Sequence, residues 1–188
     1  MVFYFLNGAR IMDIVTPYAG ASEDRLTALI NQDNMSQLQL GVDFTFGLPS
    51  SYSDAQGRNT QVVITPVPGA NYAGPETLHY VRLPLTVLEA LPEGFIQTVQ
   101  IPALPFRLSD LLDSINTALG LNLAADEIVD QQFVYPQTSY PLPINQSLSL
   151  AWIDSDYEFP ANVENPVIQL DSVITQRVLS EMVYTGPT

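Results

Sequence analysis

Thr60-Gln61-Val62-Val63-Ile64-Thr65-Pro66-Val67 decides the fold class. It is dominated by β-branched side chains, which suit a pleated, half-buried surface better than a helix. Upstream, Leu38, Leu40, Val42, Phe44 and Phe46 alternate with Gln39, Gly41, Asp43 and Thr45, the period-two pattern of a strand with one wet face. Thr77 to Leu83, Phe95 to Ile101 and Leu148 to Trp152 continue the series. The Ser, Asp, Gly and Asn-rich stretch 48–59 and the Pro- and Gly-bearing stretch 66–76 read as long turns between the first three strands.

Fifteen prolines punctuate the chain but spare three windows, 18–48, 106–135 and 167–186. Proline is excluded from helix interiors, so long helices must fall in those windows. In the first, Ser22 as N-cap, Glu23 and Asp24 in the first turn and Leu26, Leu29 and Ile30 on one face predict a helix over 22–33. In the second, Ser109 as cap, Leu111, Leu112, Ile115 and Leu119 on one face and Gly120 at the C′ position predict another, with a shorter helix from Ala125 carrying Ile128 and Val129. In the third, Val173, Ile174, Val178, Leu179, Met182 and Val183 permit a helix, but their β-branching leaves a strand open. The expectation is an α+β fold: an antiparallel β-meander or sandwich-like sheet with two or three short helices and extended Pro-rich arms. Residues 1–135 form the main domain. Residues 136–188 form a connector (Pro136, Pro141, Pro143), a strand and a C-terminal segment, packed on the main domain or on a neighbouring subunit.

With 46% hydrophobic residues and a mean hydropathy of +0.12, the chain is a folding one rather than a disordered one. It has no cysteine, which excludes disulfides, Cys-zinc sites, iron–sulfur clusters and thiol catalysis. No apolar run reaches the ~18 residues of a membrane span. The 20 acidic and 6 basic residues give a formal charge of −14; every basic residue is an arginine and no segment is basic. Nucleic acid and anionic membranes both demand clustered cations, so neither is an expected partner. Met1 to Gly8 lacks the basic region, apolar core and small-residue cleavage site of a signal peptide, which points to a protein made and folded in a cytoplasm.

No catalytic constellation emerges. The lone histidine, His79, sits mid-strand, and there is no G-x-S-x-G elbow, no phosphate-binding loop and no lysine to serve one. No cofactor or metal is expected. The nearest approach to a metal loop is Asp154, Asp156 and Glu158, which resembles the start of an EF-hand but has Phe159 where glycine is required and Asn165 where a bidentate glutamate is required. The carboxylate pairs Asp110/Asp113 and Glu89/Glu93 could serve glycoside hydrolysis, but a wet helix face and a turn account for them. Tyr135, Tyr140, Trp152, Tyr157 and Phe159 could form a sugar platform, though core or subunit contacts suit them better. Phe133, Tyr135, Tyr140, Leu142 and Ile144, in and beside the proline-rich stretch 136–147, are expected to form a partner-contact arm, because left on a monomer's surface they would make an apolar patch. Val2 to Leu6 is the second contact candidate.

Two stretches carry a family resemblance over residues 20–135. One runs Asn59 to Pro66, Gly69-Ala70-Asn71-Tyr72-Ala73-Gly74 and Thr77 to Leu83. The other is Leu111-Leu112-Asp113-Ser114-Ile115-Asn116-Thr117-Ala118-Leu119-Gly120-Leu121-Asn122-Leu123 followed by Asp126-Glu127-Ile128-Val129-Asp130. Together they resemble small structural proteins of large tailed-bacteriophage virions, which combine a β-meander with an INxxLGxxL…DIVD helical element. The resemblance implies a non-enzymatic component of a head, neck, tail or baseplate, present in many copies in a symmetric array beside other virion proteins. It carries no active-site residues. A carbohydrate- or receptor-binding β-module on such a particle is the alternative, with a carboxylate-dependent glycoside hydrolase behind it.

Overall fold

A computed structural model describes residues 4–6, 9–11, 20–92 and 94–164 of the 188-residue chain. Val2, Phe3, Glu93 and the window 167–186 lie outside the described residues. Near the N-terminus, β1 (Tyr4–Leu6) pairs antiparallel with β2 (Ala9–Ile11). The helix α1 (Ser22–Asn34) follows, then β3 (Phe44–Phe46), β4 (Ser50–Ser51), β5 (Thr60–Pro66) and β6 (Glu76–Tyr80). Strand β5 is central: β3 and β4 pair with one of its edges and β6 with the other, all antiparallel. Its Thr60 and Val62 face inward, while Gln61, Val63 and Thr65 face out.

The second half is built from β7 (Leu83–Pro84), a 3₁₀ segment Leu85–Ala90, β8 (Val99–Ile101), β9 (Phe106–Arg107), a 3₁₀ turn Leu108–Leu111 leading into α2 (Leu112–Leu119), β10 (Gln132–Phe133), β11 (Ser139–Pro141), β12 (Trp152–Ile153) and β13 (Glu158–Val163). The fold is α+β, as expected, but two ladders depart from the expected antiparallel meander: β12 runs parallel to β7, and β13 runs parallel to β8 while pairing antiparallel with β11. Residues 139–163 are therefore woven into the same sheets as residues 83–101.

Two hydrophobic clusters result. The smaller holds Leu26 and Ile30 of α1, Phe44, Val62, Tyr80 and Leu150. The larger gathers Leu85, Leu88, Ile101, Leu108, Ile115, Leu119, Tyr140, Leu142, Ile144, Trp152 and Phe159. Each fully buried Leu or Ile contributes about 1.5–3 kcal/mol relative to exposure, so α2, whose inward face is Leu112, Ile115 and Leu119, is held by tertiary packing rather than by its eight residues alone.

Several local expectations are corrected. The alternation in 38–46 is a strand only at 44–46. Gly41, at φ +75°, forms a turn in which the Gln39 N–H donates to Asp43 Oδ2 (2.8 Å), and this turns Val42 out to solvent. The strand expected over Thr77 to Leu83 ends at Tyr80, because Arg82 turns inward. The strand expected over Phe95 to Ile101 starts at Val99. The alternation in 148–152 is broken by a turn in which the Leu148 and Ser149 N–H groups both donate to Asn145 O at 3.0 Å, leaving Ser149 buried. Neither serine is a helix cap. Ser22 is the first helical residue after Ala21, and Ser109 lies inside the 3₁₀ turn, its N–H donating to Asp130 Oδ1 (3.1 Å). The short helix from Ala125 is a single 3₁₀ turn, Ala125–Glu127.

The ends of the two helices share one device. In α1, Asn31 Nδ2 donates to Leu38 O (2.9 Å) and the Leu38 N–H donates to Asn31 Oδ1 (2.8 Å). In α2, Asn116 Nδ2 donates to Leu123 O (2.9 Å) and the Leu123 N–H donates to Asn116 Oδ1 (2.9 Å). Each asparagine side chain thus clamps the backbone seven residues ahead. Between them the chain reverses through a left-handed residue, Met35 (φ 51°) in one copy and Gly120 (φ 64°) in the other. Ile30-Asn31 to Leu38 and Ile115-Asn116 to Leu123 are the same unit used twice.

The two copies differ in strain. A Cβ on Gly120 would meet nothing closer than Phe95 Cε1 at 3.8 Å, so Gly120→Ala costs only the left-handed penalty, about 1 kcal/mol. Met35 already bears that penalty and is 94% exposed, so Met35→Gly should stabilise the fold by about 0.5–1 kcal/mol. Urea midpoints check both signs; a destabilised Met35→Gly would contradict this reading.

Candidate functional site

The most unusual chemistry is buried where the two clusters meet. Arg82, at 3% exposure, donates from Nε to Thr60 Oγ1 (2.8 Å) and from Nη1 to the carbonyls of Gln146 (2.6 Å) and Ser149 (2.7 Å). Its backbone is gripped on both sides by Asn59, which accepts from the Arg82 N–H and donates to Arg82 O, each at 2.8 Å. Glu127, at 6% exposure, is the matching anion. Its Oε1 accepts from the hydroxyls of Ser22 and Ser149, and its Oε2 accepts from the Ala124 N–H. Cation and anion are linked by Ser149, whose carbonyl takes Arg82 and whose hydroxyl donates to Glu127.

The junction is closed by neighbours that also span both clusters. The Tyr80 hydroxyl donates to Leu150 O (2.9 Å), the Asn145 N–H donates to Glu127 O (2.8 Å), and the Arg25 guanidinium lies 5.1 Å from the Trp152 ring centroid, in cation–π range. Burial pulls the Arg82 guanidinium below its ordinary value and pushes the Tyr80 phenol well above its own. Strongly perturbed buried groups often mark active sites. Here the bonds of Arg82 reach two other segments, 59–60 and 146–149, and those of Glu127 reach Ser22, Ala124 and Ser149, which makes them a structural brace rather than reagents.

The acidic residues named from sequence serve local structure. Asp154 Oδ1 accepts the Ile144 N–H (3.0 Å), Glu158 accepts from the Ser139 hydroxyl, and Asp156 is exposed. Among the described residues no three His, Cys, Asp or Glu side chains gather closely enough to hold a metal ion. Asp110 and Asp113 are exposed on the helix entry, with Asp110 accepting the Arg107 N–H (3.2 Å). Asp130 holds both the Ser109 N–H and Arg107 Nη1 (2.8 Å); these contacts, the backbone one foremost, keep its carboxyl below the usual range. His79 stacks on Tyr52 with ring centroids 3.9 Å apart.

The expected contact arm is instead an internal strap. Tyr140, Leu142 and Ile144 are buried in the chain's own core, and Phe133 packs edge-on against Tyr140. The Tyr140 hydroxyl donates to Tyr135 O and accepts from the Gln137 N–H, both at 3.0 Å, so it pins the proline-rich segment from inside. Only Tyr135 stays exposed. The same burial removes the aromatic platform, since Tyr140, Trp152, Tyr157 and Phe159 are all core residues.

Sequence reasoning missed a surface cleft of about 270 Å³ between the 3₁₀ segment Leu85–Ala90, the following turn and the start of β13. Leu88, Leu91, Ile96 and Pro160 supply apolar walls, and Glu89 and Glu158 supply charge. Tyr157 also lines it. Burial, reinforced by the Glu89 carboxylate, pushes the Tyr157 phenol up to about 12. The sequence pairs Glu89 with Glu93; the cleft instead sets it with Tyr157 and Glu158, 68 and 69 residues away, a grouping no local pattern contains.

Fold and site together define an α+β protein organised around a braced internal junction, with an acidic cleft at its surface. The chain belongs to the family described as a family of unknown function (DUF7941), which matches it over residues 15–188. No curated protein and no solved structure matches it.

Removing the Arg82 guanidinium leaves three acceptors, Thr60 Oγ1 and the Gln146 and Ser149 carbonyls, without their donor, at about 1–3 kcal/mol each and so about 3 kcal/mol or more in all. Arg82→Met should fall in that range, whereas Arg107→Met, which breaks the exposed pair with Asp130, should cost no more than about 1 kcal/mol. Equilibrium urea unfolding of the two variants tests the brace; equal losses would show that Arg82 is not one.

Proposed function

We propose that this protein is a structural component of a tailed-bacteriophage virion, in head, neck, tail or baseplate, and that it acts by protein–protein assembly without catalysis. The observation that carries the reading is the outer face of the β3–β6 sheet. Cross-strand neighbours Thr45 and Thr65, Val63 and Thr77, and Ser50, Gln61 and His79 line it, with no carboxylate, lysine or arginine among them. In a chain of net charge −14, copies and acidic neighbours repel over most of their surface, so an uncharged, β-branched sheet face is where close contact costs least.

The residues behind the family resemblance support the same reading. Asn116, Glu127 and Asp130 are each committed to hydrogen bonds inside the chain, so the INxxLGxxL element specifies a shape rather than a reaction. Four of the six arginines leave little for phosphate: Arg25 and Arg82 are buried, Arg58 pairs with Asp54 and Arg107 with Asp130. The partners under this reading are other virion proteins in a symmetric array, and neither nucleic acid nor membrane is among them. No helix among the described residues is long and apolar enough to cross a membrane.

The test is mass spectrometry of density-gradient-purified particles from infected cells. The chain should co-purify at a fixed copy number relative to the major capsid protein and survive high-salt washing. Abundance in the infected-cell lysate with absence from purified particles would overturn the proposal.

A further inference from the structure

One edge of the β3–β6 sheet is open. Strand β6 pairs with β5, and among the described residues no strand lies along its other edge. The ladder fixes which backbone groups that edge presents. Val63 O accepts the Gly47 N–H (2.8 Å), so Val63, and Gln61 by the strand's alternation, direct their backbone groups toward β3 and β4. Their partners on β6, Thr77 and His79, therefore turn their own N–H and C=O groups outward, away from β5. Folded proteins blunt such edges with proline, lysine or very short strands. The opposite edge is blunted in this way: β3 has three residues and β4 two, with Pro49 between them. Glu76 to Tyr80 contains neither proline nor lysine, and Thr77 is exposed.

We infer that β6 pairs edge to edge with β6 of a second copy of this chain, antiparallel about a two-fold axis at Leu78. The outward groups lie one residue to either side of Leu78. That axis sets Thr77 against the partner's His79 and His79 against the partner's Thr77, so every outward N–H meets an outward C=O. The side chains suit the same register. Leu78, half-buried against the smaller cluster, meets its own twin and carries that cluster across the axis. Glu76, the strand's one carboxylate, falls opposite the partner's Tyr80 rather than opposite another acid. In a chain of net charge −14, a contact between copies needs a register with no facing carboxylates, and this one supplies it. The inference goes beyond the virion reading: it rests on the open edge, and its test uses the purified chain rather than the particle.

The chain has no cysteine, so single cysteines report the register. Leu78 and its twin form a non-hydrogen-bonded pair with Cα atoms about 4.5 Å apart, within disulfide reach, whereas Thr77 and its twin are diagonal neighbours too far apart to bridge. In the full-length chain under mild oxidation, Leu78→Cys should form covalent dimers at least about tenfold faster than Thr77→Cys, although Thr77 is the more exposed. Adding Thr77→Pro, which removes an outward donor and no bond between β5 and β6, should slow the Leu78→Cys cross-link at least about tenfold while the amide spectrum stays dispersed. In the unsubstituted ¹⁵N-labelled chain, the Thr77 and His79 amides should gain exchange protection as the protein is concentrated from about 20 μM to about 1 mM, while the Leu78 amide, which faces β5, is protected throughout. Cross-linking at Thr77 as fast as at Leu78 would show collisions governed by exposure, and exchange at Thr77 and His79 that ignores concentration would show an edge that stays unpaired; either result would overturn the inference.

Discussion

Ser149 is the point on which the rest of the structure depends. Its carbonyl accepts from a buried arginine and its hydroxyl donates to a buried glutamate, so one residue hydrogen-bonds a cation and an anion that never touch. Neither charge could be left alone there, since an unpaired buried ion costs several kcal/mol. The consequence is topological. Arg82 sits between β6 and β7, Glu127 follows α2, Ser22 opens α1, and Ser149 precedes β12. These four segments, far apart in sequence, must all arrive for the network to be complete. The brace is also where the small cluster under β5 meets the large cluster under α2: Leu150 packs into the first and Trp152, two residues on, into the second. Apolar packing of the right volume could hold each cluster by itself, but it would not fix their register so narrowly; a fully satisfied polar network does.

Around that brace the chain reuses a small stock of local devices. The asparagine clamp closes both helices, and an acidic side chain then caps the next turn, Asp43 over Gln39 in one copy and Glu127 over Ala124 in the other. In the second copy the capping acid also reaches into the junction, so a local turn and a long-range brace share one carboxylate. Asp130 repeats the economy by holding Ser109 and Arg107 together at the entry to α2. Polar residues that stand out in sequence as possible reagents are spent on backbone geometry.

This explains what was legible in advance. The β-branched run at 60–66, the helix periodicities of Leu26 to Ile30 and Leu111 to Leu119, and Gly120 are all local signals, and the structure follows them. The alternation at 38–46 failed because an asparagine clamp and an acid-capped turn can produce the same spacing as a strand, and that at 148–152 because a turn closed on the Asn145 carbonyl interrupts it. The second copy of the helix-ending unit escaped notice because Met35 stands where Gly120 supplies the obvious mark. The aromatic and aliphatic residues of 133–147 were recognised as needing burial, but composition cannot say whether the covering surface is foreign or the chain's own; the parallel pairing of β12 and β13 with β7 and β8 brings the strap inward. The cleft was invisible because Glu89 and Tyr157 meet only in three dimensions.

The central claim is that the junction makes the two clusters a single cooperative unit. Native-state amide hydrogen exchange across a series of low urea concentrations tests it most directly. The account predicts that amides in β5 and in α2 converge on one opening free energy equal to that of global unfolding, because neither cluster can open without stripping Arg82 or Glu127 of its partners. A β5 opening that stays more than about 2 kcal/mol below that of α2, with no urea dependence linking them, would contradict it and leave two independently stable halves.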